Sequence, residues 1–281
     1  MTARRLRVTP KRLSDPDFPW WLLALGACAL GIALAVALDP GWRRIVSVLA
    51  QGAVTTVLVT VLAFGGALAL GLLVALGRQS RSRLVRNAAH FYIEVVRGIP
   101  ILVLLFWIAF VGAPALVAGW NVISAPLAEA GLIEPLSVRD LSLLARAIFA
   151  LVIAYSAFLA EIFRAGIEAV PAGQVEAAKA LGLKPLQRLR LVILPQAVRT
   201  VLPPLANDLV SMVKDSSLVS VLGVADITQM GKVYASGSFR FFETYSIAAY
   251  LYLLMTVSVS LLARRLETRR APAQPLKSVP G

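Results

Sequence analysis

Long uncharged runs, separated by short basic stretches, set the pattern of this chain. Residues 18–38, 45–77, 98–127 and 244–263 contain no charged side chain. A helix needs about 20 apolar residues to cross a hydrocarbon core, so each of these runs predicts one membrane span. Two weaker runs complete the pattern. Residues 141–167 are apolar but carry Arg146, Glu161 and Arg164, and residues 198–222 hold Pro203, Pro204, Asp208, Lys214 and Asp215.

The basic residues decide whether those weaker runs cross. With six spans, four segments share one side: the N-terminus, 78–97, 164–199 and the tail from 264. They hold 21 Lys and Arg, whereas the opposite side holds five. Cytoplasmic loops carry the Lys/Arg excess, so both termini are expected inside. Dropping either weak span would move a strongly basic segment outside. The expected fold is therefore an all-α integral membrane bundle of six transmembrane helices. The basic stretch before residue 18 could instead open a signal peptide. The run it precedes is longer than the 7–15 residues of a signal core and ends in LDPGWRR, unlike a cleavage site. An uncleaved first span follows.

Composition agrees. The 281 residues are 58% hydrophobic and only 15% charged, against about 25% charged in soluble domains. The net charge of +13 lies between apolar runs and reads as membrane flanks, with no nucleic-acid partner expected. Cys28 stands alone in an apolar run, which excludes a disulfide framework or thiol-rich metal site. His90 is likewise alone, and neither residue is assigned a role. No phosphate loop of the G-x-x-x-x-G-K-[ST] type occurs, so ATP is not expected to bind this chain. No metalloprotease motif, paired cysteines or Ser/His/Asp grouping points to an enzyme. No internal symmetry points to a secondary transporter. Energy must come from another subunit, or the chain is a non-transporting scaffold.

The longest basic connection carries the informative motif, GQVEAAKALGLKPLQRLRLVILPQAV at 173–198. Helix formers fill 175–181, and Gly182 then supplies the left-handed angle of a helix cap. Pro185 suits the first turn of a second short helix. The expected unit is helix, tight turn, second short helix, outside the lipid. Glu176, Ala177, Ala178 and Gly182, closed by Ile193, Leu194 and Pro195, resemble the EAA loop of bacterial ABC importer permeases. The closing I-L-P departs slightly from the usual I-x-L-P.

Three further segments resemble the polar amino-acid branch of that family, which includes histidine and glutamine permeases. Glu94, Arg97, Gly98 and Pro100 match E-x-x-R-G-x-P. Residues 161–178 are similar to the family's run from a span into the loop, and KDSSLVSVLGVADI at 214–227 to its K-x-[TS]-S-L segment. The likeness covers residues 52–267, and the first span adds to the family's usual five. It implies a type I importer permease domain at 49–267, preceded by a basic N-terminus and extra helix at 1–48 and followed by a tail at 268–281. It implies an inner-membrane location and, as partners, two ABC ATPases, a second permease subunit, identical or paralogous, and a periplasmic binding protein. ATP and Mg would sit on the ATPases, leaving no cofactor and no metal in this chain. The loop's first helix would dock in the ATPase groove. Closure of the ATPases on ATP would then drive alternating access.

Polar groups inside spans are candidates to line the path, because charge in lipid is costly. Asp208, Ser211 and Asp215 recur on one helix face, Lys214 lies beside it, and Glu161 and Arg164 pair at i, i+3. The same residues could instead hold helices together. A polar amino acid is the expected cargo. An opine, a polyamine or another small charged solute would use the same machinery.

Overall fold

The computed structural model describes residues 20–268. The basic N-terminal stretch and the tail from 269 lie outside the described residues. Among them the chain is helical throughout: α1 (Trp20–Leu38), α2 (Pro40–Arg78), α3 (Arg83–Gly98), α4 (Ile101–Glu129), α5 (Leu143–Glu168), α6 (Ala172–Ala180), α7 (Pro185–Leu222), α8 (Ile227–Ser238) and α9 (Phe241–Thr268). Five of these, α2, α4, α5, α7 and α9, are long and apolar enough to cross a membrane. The first predicted span corresponds to the shorter α1. Its 19 residues rise about 28 Å, close to the ~30 Å of a bilayer core.

The centre of the bundle is a seam between α2 and α5. Thr56, Thr60, Ala63, Ala67, Gly71 and Ala75 recur every three or four residues on α2, all buried. Ala147, Ala150, Ala154, Ala157 and Ala160 answer them from α5. Lipid is as apolar as these side chains, so small residues drive association by letting backbones approach. Gly71 marks a close approach to the α5 backbone. A Cβ there would lie 2.9 Å from the Ser156 carbonyl oxygen and 3.0 Å from Leu159 Cβ.

Polar side chains pin the ends. Asp39 caps α2 by accepting from the Gly41 N–H at 2.7 Å, and it takes a second bond from Arg240, at the start of α9, at 2.9 Å. These two donors hold the Asp39 carboxyl below the usual carboxylate range, Arg240 contributing most. Arg43 donates to the Ala37 carbonyl at 2.9 Å and closes the corner between α1 and α2. The charge of Arg146, unexpected within a span, is absorbed by backbone: it donates to the carbonyls of Leu141, Ala109 and Val138. Ala109 lies in a π-helical turn of α4 at Ile108–Gly112.

One boundary departs from expectation. The second short helix does not end before the fifth span. Pro185–Arg188 runs through a π turn at Leu189–Ile193 directly into Leu194–Asp215, so the spanning helix begins 13 residues before the expected Val198. A proline in a regular helix clashes with the carbonyl four residues back. The wider π turn immediately ahead of Pro195 lets the helix continue through that position.

Candidate functional site

The loop at 173–198 folds as a projecting elbow. Glu176, Ala177 and Ala178 lie on α6, which ends in a Schellman cap. Gly182 takes φ +74°, its N–H donates to the Lys179 carbonyl at 2.9 Å, and the Leu183 N–H donates to the Ala178 carbonyl at 3.1 Å. A left-handed angle costs a β-branched residue strain even though space for a side chain is open at Gly182. Ala178 is buried against its own chain, so it positions α6, whereas Glu176, Ala177 and Ala180 face outward. Gln196 fixes the elbow to α7 by donating to Gln174 Oε1 at 2.6 Å and to the Val192 carbonyl at 2.9 Å. Leu181, Leu186 and Leu191 stand exposed on the same elbow at 80%, 73% and 64%. Such an apolar cluster beside a charged helix has the character of a docking surface. Ile193 is half-buried, while Leu194 and Pro195 are exposed at the start of the regular helix.

The E-x-x-R-G-x-P residues form the break between α3 and α4. Gly98 ends α3, and Ile99 is extended, as a residue before proline must be. Pro100 then leads into α4. Arg97 lies over the Phe158 ring at 5.6 Å from its centroid. Glu94 faces His90 Nδ1 at 3.7 Å.

The six candidate path residues divide into two groups. Glu161 accepts from Arg78 and from Arg164, and Arg164 also pairs with Glu168. These charges knit the ends of α2 and α5 together. The other four lie on α7. Asp215 accepts the Tyr155 hydroxyl at 2.7 Å, and Tyr155 is within electrostatic reach of Asp208 as well. Asp208 is half-buried, and its Oδ2 has no hydrogen-bond partner among the described residues. Ser211 is half-buried on the same helix. Lys214 is exposed into a cavity of about 480 Å³ whose other polar lining is Ser217, Thr228, Tyr245 and Tyr252. A cation among hydroxyls suits a carboxylate-bearing solute.

Sequence reading passed over the polar knot beside that cavity. Asp226, fully buried, caps α8 by accepting the Gln229 N–H at 2.8 Å and takes the Tyr252 hydroxyl at 2.9 Å. Tyr252 also bonds Thr228 at 3.0 Å. Thr56 of α2 accepts the Ile227 N–H at 3.3 Å. An aspartate immediately ahead of an apolar helical stretch is an N-cap signal, and Asp226 carries it. Among the described residues no three His, Cys, Asp or Glu come together as a metal site.

Comparison with known proteins gives the same family from three directions. Residues 67–272 match the family model described as binding-protein-dependent transport system inner membrane component. The glutamine transport system permease protein GlnP of Escherichia coli is 35% identical over 224 residues, covering 80% of this chain and 93% of that protein. The probable amino-acid permease protein YxeN of Bacillus subtilis is 34% identical over 208 residues, covering 74% and 84%. A crystal structure of an amino acid ABC transporter with histidines superposes with a TM-score of 0.68 at 35% identity, covering 83% of this chain and 99% of that one. The match reaches from α2, through the elbow, to the end of α9. This chain therefore belongs to the binding-protein-dependent transport system inner membrane components, the non-catalytic permease subunits of ABC importers.

Proposed function

We propose that this permease forms the translocation path for a polar amino acid delivered by a periplasmic binding protein. Two cytoplasmic ATPases and a second permease subunit, identical or paralogous, complete the importer. The observation that carries the coupling role is the elbow at 173–198. A nine-residue helix, stopped by Gly182 and flanked by exposed leucines, projects from the bundle with Glu176, Ala177 and Ala180 outward. ATPase docking there transmits motion through the Gly182 turn into α7, because the elbow's second short helix and the span are one helix. Both termini lie inside in this reading, supported by the 21-to-5 distribution of basic residues. The same alternation puts Arg78, Glu168 and the elbow on the cytoplasmic side and the Asp39–Arg240 corner outside. Residues 49–267 act as the transport domain, and α1 adds to it.

Amino-acid cargo is supported by the 35% identity to a glutamine permease and to the solved amino acid transporter. On this chain, Lys214 supplies a cation for the carboxylate, and Asp208 supplies an oxygen without a partner for the ammonium group. Glu161 and Arg164 hold the helix ends and tie the path to the coupling side.

Vesicles containing the permease, its ATPases and its binding protein test the reading. ATP should drive uptake of at least one member of a panel of radiolabelled amino acids, and not of a sugar or a dipeptide. Uptake of a control with no response to any amino acid would remove the cargo assignment. Gly182→Cys should react with an impermeant thiol reagent only after lysis, and Ser236→Cys from outside. Equal labelling from outside would remove the orientation.

A further inference from the structure

A second polar cleft, of about 280 Å³, opens between the ends of α2, α3 and α5, and shares no lining residue with the Lys214 cavity. Arg78, Gln79, Arg86, Asn87, His90, Arg164 and Glu168 line it. Its charge is not balanced internally. Arg78 and Arg164 share Glu161, and Arg164 also holds Glu168. Arg86 pairs with no carboxylate among the described residues, and its guanidinium makes one long hydrogen bond, 3.4 Å to the Ser80 carbonyl. The lining holds three guanidinium groups and one carboxylate, Glu168; Glu161 stands behind Arg78 and Arg164, and Glu94 faces His90. The surrounding connection, residues 78–97, holds five arginines and one glutamate.

The neighbouring surface is apolar. Arg86, Asn87 and His90 form one stripe along α3. The adjacent stripe exposes Leu84 at 80% and Phe91 at 71%, with Val95 in line. The third face is buried through Ile93 and Val96. Tyr92 clamps the helix to α5 by its hydroxyl, 2.7 Å from Ser156 Oγ. The helix is thus rigidly held, with a cationic cleft on one side and bare hydrocarbon on the other, at the end of a membrane bundle.

We propose that this cleft binds the phosphodiester headgroup of an anionic phospholipid. The guanidinium of Arg86, with Arg78 and Arg164 behind it, engages the phosphate oxygens, for which planar paired donors are well suited. Asn87 and His90 add donors at the mouth, and the acyl chains lie along Leu84 and Phe91. A phosphodiester supplies the anionic partner that the Arg86 guanidinium lacks among the described residues. Basic pockets between helix ends, at headgroup depth, are a recognised setting for such lipids. The test reads lipid binding alone, so its failure would leave the proposed function intact.

The full-length chain, purified in a neutral detergent, is titrated with dioctanoyl phosphatidylglycerol, dioctanoyl phosphatidylcholine and inorganic phosphate, and bound species are counted by native mass spectrometry. Phosphatidylglycerol should bind more tightly than either of the others. Arg86→Gln should weaken it about fivefold, the effect of one basic residue near a headgroup. Asn87→Glu, also an exposed substitution, should abolish it by placing a carboxylate at the mouth. Arg81→Gln, in the same loop but outside the cleft, should change nothing. Equal binding by wild type and Arg86→Gln would overturn the proposal. So would an equal loss in Arg81→Gln, which would mean a diffuse basic surface. Inorganic phosphate binding as tightly as the lipid would reduce the cleft to an ion site. Displacement of the lipid by the purified ATPase would assign the cleft to a protein contact.

Discussion

Two aspartates a few turns apart show how the same residue type serves opposite ends in this bundle. Asp226 is fully buried and satisfied: it caps α8 and takes the Tyr252 hydroxyl, which is itself held by Thr228. Asp208 is half-buried on α7, and one of its oxygens has no partner. A buried carboxylate whose bonds are all made fixes helices in place. A carboxylate in a membrane bundle with an open oxygen is costly unless something else comes to meet it. The first is architecture, and the second is the oxygen that the proposed function assigns to the cargo's ammonium group.

The largest effect should come from breaking the satisfied site. Asp226→Leu removes an N-cap, worth ~1 kcal/mol, and leaves Tyr252 with Thr228 alone, a hydrogen bond to a charged group being worth about 1.5–3 kcal/mol. The variant should lose most of its detergent-stable, monodisperse material in size-exclusion chromatography. Normal yield and elution would mean that the knot is not structural. Gly71→Ala sharpens the same point in the seam. The added methyl meets backbone rather than a movable side chain, and overpacking of this kind costs about 1–3 kcal/mol. Its thermal midpoint should fall, by less than the loss from Asp226→Leu.

Breaking the open site should leave the fold alone. Asp208→Asn should keep the thermal midpoint and lower ATP-driven uptake about tenfold, the effect of ~1.4 kcal/mol lost from one charged hydrogen bond. Unchanged uptake would remove Asp208 from the path. The smallest effect is expected at Asp39→Asn. Asparagine caps a helix as well as aspartate does, and the pair with Arg240 is solvent-accessible. Neither midpoint nor uptake should move measurably.

How much of this could be read from the chain depends on the distance between partners. The uncharged runs on α2, α4 and α9 announce spans directly, and Gly182 announces its cap because the helix-stop signal is local. The Glu161–Arg164 pair is visible at i, i+3, but its third member, Arg78, lies 83 residues away from Glu161 and is brought in only by the α2–α5 seam. Asp226 sits inside a segment already singled out at 214–227, yet its role depends on Tyr252, which no local pattern connects to it. The start of α7 lies 13 residues before the expected Val198, because the helix runs unbroken through Pro195. A π turn that accommodates proline leaves no compositional mark.

The coupling role of the elbow is tested most directly by ATP hydrolysis in the assembled importer, with and without loaded binding protein. Valine at 182 must adopt a left-handed backbone angle, at a cost of about 1–3 kcal/mol, whereas asparagine tolerates that angle. Gly182→Val should remain inserted in the membrane and lose the stimulation of hydrolysis by loaded binding protein, while Gly182→Asn keeps most of it. Full stimulation in Gly182→Val would contradict the coupling of this permease to its ATPases through that turn.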